Sequence, residues 1–150
     1  MHTLQVQIER LAPMRVATVA VTSASPEHDA INTLINWARP QGLLDGDYRF
    51  FGYDNCQDYP NHCYTAWLTV GNDVMPSGNI EVKQFPGGTF AVTDAFGTDR
   101  IAPQWAALAR WCQDRGYHIV DQPGLEEHFE ILEDRPLHEL RFRLYLPITG

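Results

Sequence analysis

The residues of this 150-residue chain whose types and spacing could do chemistry lie mainly near its C-terminal end. Glu126 and His128 are two positions apart in a segment, Glu126–Leu132, that is predicted to be a β-strand. Because successive side chains of a strand alternate between its two faces, these two side chains share one face. A carboxylate and an imidazole on one face could contact a common ligand or hydrogen-bond to each other. The residues alone leave a second interpretation open, in which Glu126 is a solvated acid at a strand end, like most of the 19 acidic residues.

No motif for nucleotide binding or for a familiar hydrolytic mechanism accompanies this pair. Gly87-Gly88 follows one predicted strand and opens another, which indicates a turn and not a phosphate-binding loop. The chain contains neither Gly-x-Ser-x-Gly nor His-Glu-x-x-His. His62 and Cys63 lie near Cys56, but adjacent strand residues point to opposite faces and zinc requires converging ligands. We therefore predict no metal and no cofactor.

Composition and charge limit the class of protein. The formal net charge of −8 disfavours direct nucleic-acid binding, which needs a basic surface, and it suits a cationic partner. No apolar run is long enough to span a membrane, and the first ten residues do not resemble a signal peptide. The three cysteines are an odd number and are not spaced as metal ligands usually are, which favours a reduced, cytoplasmic protein.

The elements that position these residues are predicted from apolar spacing and from turn residues. Two helices are predicted, one from Ser25 to near Gly42 and one from Thr98 or Asp99 to about Arg115. Alternating or β-branched runs predict strands over Leu4–Ile8, Val16–Val21, Tyr48–Tyr53, Cys63–Val70, Ile80–Phe85, Thr89–Ala95, Glu126–Leu132 and Leu140–Ile148. This order predicts an α+β fold, a largely antiparallel sheet with two helices on one face.

An offset of 74 residues relates the two halves of the chain. The same spacing of large apolar residues and a glycine occurs twice, in Ile31, Leu34, Trp37 and Gly42 and again in Trp105, Leu108, Trp111 and Gly116. Two copies are too few for a solenoid. The offset instead predicts one domain over residues 1–150, built from half-repeats of about 1–75 and 76–150. Each half is a strand–helix–strand–strand unit, and the two pack about a pseudo-twofold axis with a central cleft.

Alternation along the last strand separates a helix-packing face from a cleft-lining face. Leu144 lies on the first, whereas Tyr145 lies on the second together with Arg141 and Arg143. Aligning the last strands of the two halves places Trp67 at the position of Tyr145. We therefore predict that these two aromatic residues face one groove, of the kind that binds small molecules. The simpler alternative is that Trp67 only caps a hydrophobic core.

Several short segments, in this order and spacing, resemble the GyrI-like small-molecule-binding domain, also known as the effector-binding domain of multidrug-responsive transcription regulators. They are Pro13–Ala17, Gly52–Asn55, Tyr64–Trp67, Pro86–Val92, Trp105-x-x-Leu108-x-x-Trp111, and Pro123–Glu126 followed by Tyr145–Ile148. The resemblance covers most of the chain. It implies a duplicated fold whose central cleft binds small, lipophilic and cationic molecules.

The resemblance places the characteristic pocket acid of the family on Glu126. A carboxylate in an apolar, aromatic cavity is poorly solvated, and a hydrophobic cation restores the lost stabilisation. His128 stands where the family usually has tyrosine in a Glu-x-Tyr pattern. This difference argues against a pocket that recognises cations alone. The predicted ligand-binding residues are Glu126, Trp67, Tyr145, Tyr53, Phe51, Trp111 and His128.

Three functions follow from the resemblance. Because the fold begins within the first ten residues, we expect a stand-alone receptor without a helix-turn-helix module, which sequesters a compound or signals to a separate protein partner. The first alternative is hydrolysis of cyclopropane-type genotoxins, with Glu126 as general base. The second is a gyrase-inhibitor-like protein interaction. The sequence leaves the question of enzyme activity open and favours binding over catalysis.

Overall fold

The computed structural model of the chain describes residues 4–54, 62–97, 101–129, 131 and 141–149. Within these ranges the chain forms nine strands and two α-helices. They are β1 (Gln7–Leu11), β2 (Met14–Ser23), α1 (Pro26–Ala38), β3 (Phe50–Asp54), β4 (His62–Thr69), β5 (Glu81–Phe85), β6 (Gly88–Phe96), α2 (Ile101–Asp114), β7 (His118–Ile119), β8 (Leu125–His128) and β9 (Arg141–Thr149). The strand pairings described below are all antiparallel, so the predicted α+β class is confirmed.

The chain divides into two compact units. The first unit is Pro13–Pro86, with strand order β3-β4-β2-β5 and helix α1. The second unit is Met1–Ala12 with Gly87–Gly150, with strand order β1-β6-β9-β8, β7 beside β9, and helix α2. This division differs from the half-repeats expected at 1–75 and 76–150. The reason is that β1 pairs with β6, and β5 pairs with β2, so each unit contains a strand that the sequence assigned to the other half.

The two units use the same pairing register. Ala17 lies opposite Leu68 in the first unit, and Ala91 lies opposite Leu146 in the second. In the same way Phe51 lies opposite Trp67, and its equivalent at the 74-residue offset, Leu125, lies opposite Tyr145. Trp67 and Tyr145 therefore hold equivalent positions in their own units, as the aligned strand ends predict.

Glycines in the left-handed conformation follow both helices. Gly42, with φ of 72°, ends the short 3-10 turn after α1, and Gly116, with φ of 82°, follows α2. Other residues are strained in this conformation, so these two glycines fix the helix ends. Ser25 is at the predicted N-cap of α1, but its side chain makes no capping hydrogen bond. The predicted caps Thr98 and Asp99 lie outside the described residues.

Each helix packs on one face of the sheet in its own unit. In the first unit α1 contacts β2 and β4, and its buried residues include Ile31 and Leu34. In the second unit α2 contacts β6, β7 and β9. Its core consists of Ala91, Ala95, Leu108, Cys112, Phe142, Leu144 and Ile148. Neither helix in the described part of the chain is long and apolar enough to cross a membrane.

Three features of the chain differ from the sequence prediction or are only partly covered by the described residues. The two-residue strand β7 was not predicted, because it is too short for alternation to identify it. The closing strand expected over Glu126–Leu132 is observed as Leu125–His128. Cys63 and Cys112 are free thiols, whereas Cys56, the other cysteine of the suggested loop cluster, lies outside the described residues.

Candidate functional site

Strand β8 buries three ionisable residues in succession. Glu126, Glu127 and His128 are 9%, 4% and 8% exposed, and Leu125 before them is 3% exposed. Burying a charged group is unfavourable unless a partner compensates it, so acids are seldom buried without a structural or functional reason. This concentration of buried polar groups makes β8 the candidate functional site.

Pairing with β9 decides which face each of these side chains occupies. Glu126 lies opposite Leu144, and His128 lies opposite Phe142. Directly opposed residues of an antiparallel pair share a face. Leu144 and Phe142 belong to the core that packs against α2. Glu126 and His128 therefore share the helix-packing face of the second unit, next to apolar side chains.

Glu126 and His128 are close enough to act on one ligand. A carboxylate oxygen of Glu126 and a ring nitrogen of His128 lie within 4.8 Å of each other. The imidazole ring lies 6.3 Å, centroid to centroid, from the ring of Phe142. Carboxylate oxygen and imidazole nitrogen are also atom types that bind metal ions. The pair thus offers a carboxylate oxygen and an imidazole nitrogen on the face that carries Phe142 and Leu144.

His128 is neutral at neutral pH. Burial lowers the pKa of its imidazole from 6.5 to about 4, and the nearby Glu127 carboxylate opposes that shift only in part. A neutral imidazole has one donor and one acceptor nitrogen, whereas the protonated form has two donors. At neutral pH His128 therefore retains the capacity to accept a hydrogen bond.

The lowered pKa of His128 predicts acid sensitivity. The unfolded chain binds a proton on this side chain near pH 6.5 but the folded chain only near pH 4, so stability should fall as pH falls through this interval. The expected contribution to the free energy of unfolding is about 3 kcal/mol between pH 7 and pH 4. NMR titration of the imidazole resonances measures the pKa directly. A value of 6 or higher in the folded protein would contradict this account.

Glu127 is on the opposite face of the sheet and has a defined protein partner. The Tyr145 hydroxyl donates a hydrogen bond of 2.6 Å to its carboxylate. Tyr145 is fully buried, and the Phe90 ring meets it edge-on at 5.9 Å. The structure therefore brings Tyr145 together with Glu127, and it places Glu126 on the other face. Sequence reasoning missed Glu127, although alternation already places it on the face that Glu126 does not occupy.

An ion pair also lies on this Tyr145 face. The Arg143 guanidinium donates to the Asp94 carboxylate at 2.9 Å and lies 5.4 Å over the Phe129 ring. Its pKa is raised, chiefly by the hydrogen bond to Asp94 and further by one with Tyr145. Because Arg143 is opposite both Asp94 and Glu127, these charges lie in one row across three strands. The two acids described on the Tyr145 face, Glu127 and Asp94, are thus each paired with a protein side chain.

The predicted aromatic residues of the first unit are adjacent. Trp67 packs edge-on to Tyr53 at 5.4 Å and lies 5.1 Å from Phe85, which was not predicted. We call these three residues the Trp67 cluster. Phe51, fully buried, is opposite Trp67 in the ladder, and Arg49 lies 5.0 Å over its ring. The register therefore places Phe51, Tyr53 and Trp67, three of the predicted ligand-binding residues, on one face of the first unit.

Trp111 has partners of a different kind. Its ring stacks on Tyr117 at 6.1 Å with an angle of 8°, and the Arg115 guanidinium lies 4.1 Å over it. It packs at the edge of the core beneath α2. Trp111 is therefore on the helix side of the second unit, away from the face of Tyr145.

The position of the first unit that is equivalent to Glu126 has no side chain. The 74-residue offset places Gly52 there, opposite Ala66 as Glu126 is opposite Leu144. A β-carbon on Gly52 would overlap the ring and hydroxyl of Tyr64, which is 3% exposed. At this position the buried carboxylate is thus specific to the second unit.

Comparison with known proteins was made at the level of family, sequence and structure. The family model described as the GyrI-like small molecule binding domain matches residues 4–149. No curated protein sequence matches the chain.

Solved structures show the same fold at low sequence identity. The crystal structure of the EcmrR C-terminal domain has a TM-score of 0.75 at 16% identity and covers 99% of both chains. In a cryo-EM complex of EcmrR with DNA, the TM-score is 0.74 and this chain spans only 57% of the EcmrR chain. A hydrolase from Listeria innocua has a TM-score of 0.74 at 11% identity, covering 97% of this chain and 92% of that one. SAV2435 bound to tetraphenylphosphonium has a TM-score of 0.59 at 14% identity, covering 98% and 95%.

Proposed function

This chain belongs to the GyrI-like small-molecule-binding domain family, and from that premise we propose that it binds small lipophilic cations through Glu126. The observation that carries the proposal is the burial of this carboxylate, 9% exposed, on the same face as Leu144 and Phe142. Glu127, the neighbouring buried acid, accepts a hydrogen bond from Tyr145 on the other face. Glu126 is therefore the acid of β8 on the apolar, helix-packing side.

The physical basis is the solvation of charge. A buried carboxylate has lost much of its hydration, and a cation beside it recovers part of that free energy. A lipophilic cation is favoured over a small hydrophilic one, because its apolar surface gains from leaving water while its charge loses little hydration. Such a site selects ligands by charge sign and approximate size.

Aromatic side chains support the same class of ligand. The Trp67 cluster of the first unit presents ring faces and edges, and aromatic faces attract cations by about 0.5–2 kcal/mol each. The bound tetraphenylphosphonium of SAV2435 is a lipophilic cation, which supports this choice of ligand class. The matching registers of the two units support an origin by duplication.

A pair of ligands with nearly the same shape and opposite charge tests the proposal. Tetraphenylphosphonium and tetraphenylborate are both lipophilic, so any large difference in affinity reports the sign of the charge in the site. We expect calorimetric titration to show the cation binding at least about 100-fold more tightly than the anion. Equal affinities, or a preference for the anion, would contradict the proposed function.

Hydrolysis is a second candidate function, favoured by the proximity of Glu126 and His128. A carboxylate and a neutral imidazole within 4.8 Å can together orient a water molecule and accept its proton. A structural neighbour described as a hydrolase is compatible with this chemistry in the fold. Multiple-turnover consumption of a reactive cyclopropane substrate, lost in Glu126→Gln, would establish it. Stoichiometric binding without turnover would leave the binding function alone.

A further inference from the structure

We propose that a cavity beside Arg143 in the second unit binds small aromatic carboxylates, with Arg143 as the residue that recognises the carboxylate group. The cavity has a volume of about 290 Å³ and is lined by Asp94, Ala95, Phe129, Arg141, Phe142 and Arg143. These residues all belong to the second unit. The inference is separate from the proposed function, because it concerns other charged side chains and a ligand of the opposite charge.

The Arg143 side chain is held in a defined position by three neighbours. Its Nε donates to the Asp94 carboxylate at 2.9 Å, a second hydrogen bond joins it to Tyr145, and its guanidinium lies 5.4 Å over the Phe129 ring. Tyr145 is itself fixed, because its hydroxyl donates to Glu127 at 2.6 Å. A side chain that is already ordered loses little conformational freedom when a ligand binds to it. Arg143 is therefore preorganised for binding.

Arg143 keeps hydrogen-bond donors that a ligand can use. Its side chain is 36% exposed, and it lines the cavity. A guanidinium carries more N–H groups than its two hydrogen-bond partners among the described residues, Asp94 and Tyr145, can occupy. Parallel N–H groups of arginine bind the two oxygens of a carboxylate at once, which a neutral amide cannot match. Arg143 can thus bind a ligand carboxylate while it stays bonded to Asp94.

The lining favours an anion that carries an aromatic ring. It contains two guanidinium groups and one carboxylate, so it has an excess of positive charge in a chain whose net charge is −8. The Phe129 ring is 46% exposed and offers contact area to a second ring. A volume of about 290 Å³ is at the small end of the range for ligand pockets, which favours one or two fused rings over a larger molecule.

Two ligands of nearly equal shape test the inference: 2-naphthoate, which is charged, and 2-naphthamide, which is neutral. We expect an NMR titration to give a dissociation constant for 2-naphthoate on the order of 0.1–1 mM, at least about 10-fold below that of the amide. The largest shifts should occur at the Arg143 Nε–H and at the Phe129 ring. Equal affinities, or shifts that leave both of these side chains unchanged, would overturn the inference.

Arg143→Gln and Arg110→Gln form a matched pair of variants. Arg110 is an exposed residue of α2 outside the lining of this cavity, so its variant removes the same charge elsewhere in the unit. We expect Arg143→Gln to bind 2-naphthoate at least about 10-fold more weakly than wild type, and Arg110→Gln to stay within about 3-fold, because distant exposed charges are screened. Equal weakening in both variants would show that general charge, and not Arg143, attracts the anion.

Phe129→Ala is a second variant for the case that Arg143→Gln does not fold, since its partly exposed ring contributes less to the core than a buried one. We expect it to weaken 2-naphthoate roughly 3-fold to 10-fold through the lost ring contact. Wild-type affinity in Arg143→Gln, or in Phe129→Ala, would overturn the inference. Tetraphenylphosphonium binding should stay within about 3-fold of wild type in Phe129→Ala, and its absence in the wild-type protein would overturn only the proposed function.

Discussion

Glu126→Gln should weaken the binding of tetraphenylphosphonium on the order of 100-fold. The substitution keeps the size of the side chain and removes its charge, so it isolates the electrostatic part of the interaction. Removing one partner of a desolvated, close charge pair typically costs 2–5 kcal/mol, about 30-fold to several thousand-fold in affinity. The 9% exposure of Glu126 places it in this desolvated class. Calorimetry or quenching of the intrinsic tryptophan fluorescence measures the loss.

Glu127→Gln is the matched control. It removes the same charge one residue away, but on the opposite face, where the carboxylate accepts from Tyr145. We expect this variant to bind the cation within about 3-fold of wild type, because a charge on the far side of the sheet acts only through long-range, screened attraction. Equal weakening in the two variants would mean that net negative charge attracts the ligand. In that case Glu126 would have no specific role.

Gly52→Ala should destabilise the fold by about 2–3 kcal/mol, the second large effect that we expect. The added β-carbon would overlap Tyr64, which is buried and cannot move into solvent. Overpacking of a close-packed core typically costs 1–3 kcal/mol. Gly46→Ala is the control, because nothing lies within 4 Å of its β-carbon and its backbone is not left-handed. Chemical denaturation of both variants measures the free energy of unfolding.

A double-mutant cycle identifies the cause of the loss at Gly52. If overlap with Tyr64 is responsible, the same substitution in a Tyr64→Ala background should cost less than about 0.5 kcal/mol. A full loss in that background would instead indicate a backbone effect at position 52. Such a result would also remove the steric explanation for the absence of a side chain at the position equivalent to Glu126.

The local elements were predictable because the signals that specify them are local. Gly42 and Gly116 are in the left-handed conformation that a helix end requires, and the sequence places a glycine at each point. Ile31 and Leu34 were identified as inward-facing by their helical spacing, and both are buried in α1. The exchange of β1 and β5 between the halves was not predictable, since strand pairing depends on long-range packing that alternation does not encode.

The sequence predicted which residues belong to the candidate site. It did not predict which face of the sheet they occupy, because that depends on the pairing register of β8 with β9. Alternation alone shows that Glu126 and His128 share a face. It does not show whether that face is the one of Leu144 or of Tyr145, because the register across a long connection is not fixed by sequence. The structure places Leu125 opposite Tyr145, so Glu127 joins the Tyr145 face and Glu126 joins the helix side.

A crystal structure of the protein with bound tetraphenylphosphonium tests the central claim most directly. The account predicts that the phosphorus atom lies within about 6 Å of the Glu126 carboxylate, the range over which opposite charges interact strongly. It also predicts that the hydrogen bond between Tyr145 and Glu127 persists in the complex, because that pair lies on the other face. A cation bound on the Tyr145 face, or at any surface that Glu126 does not reach, would contradict it.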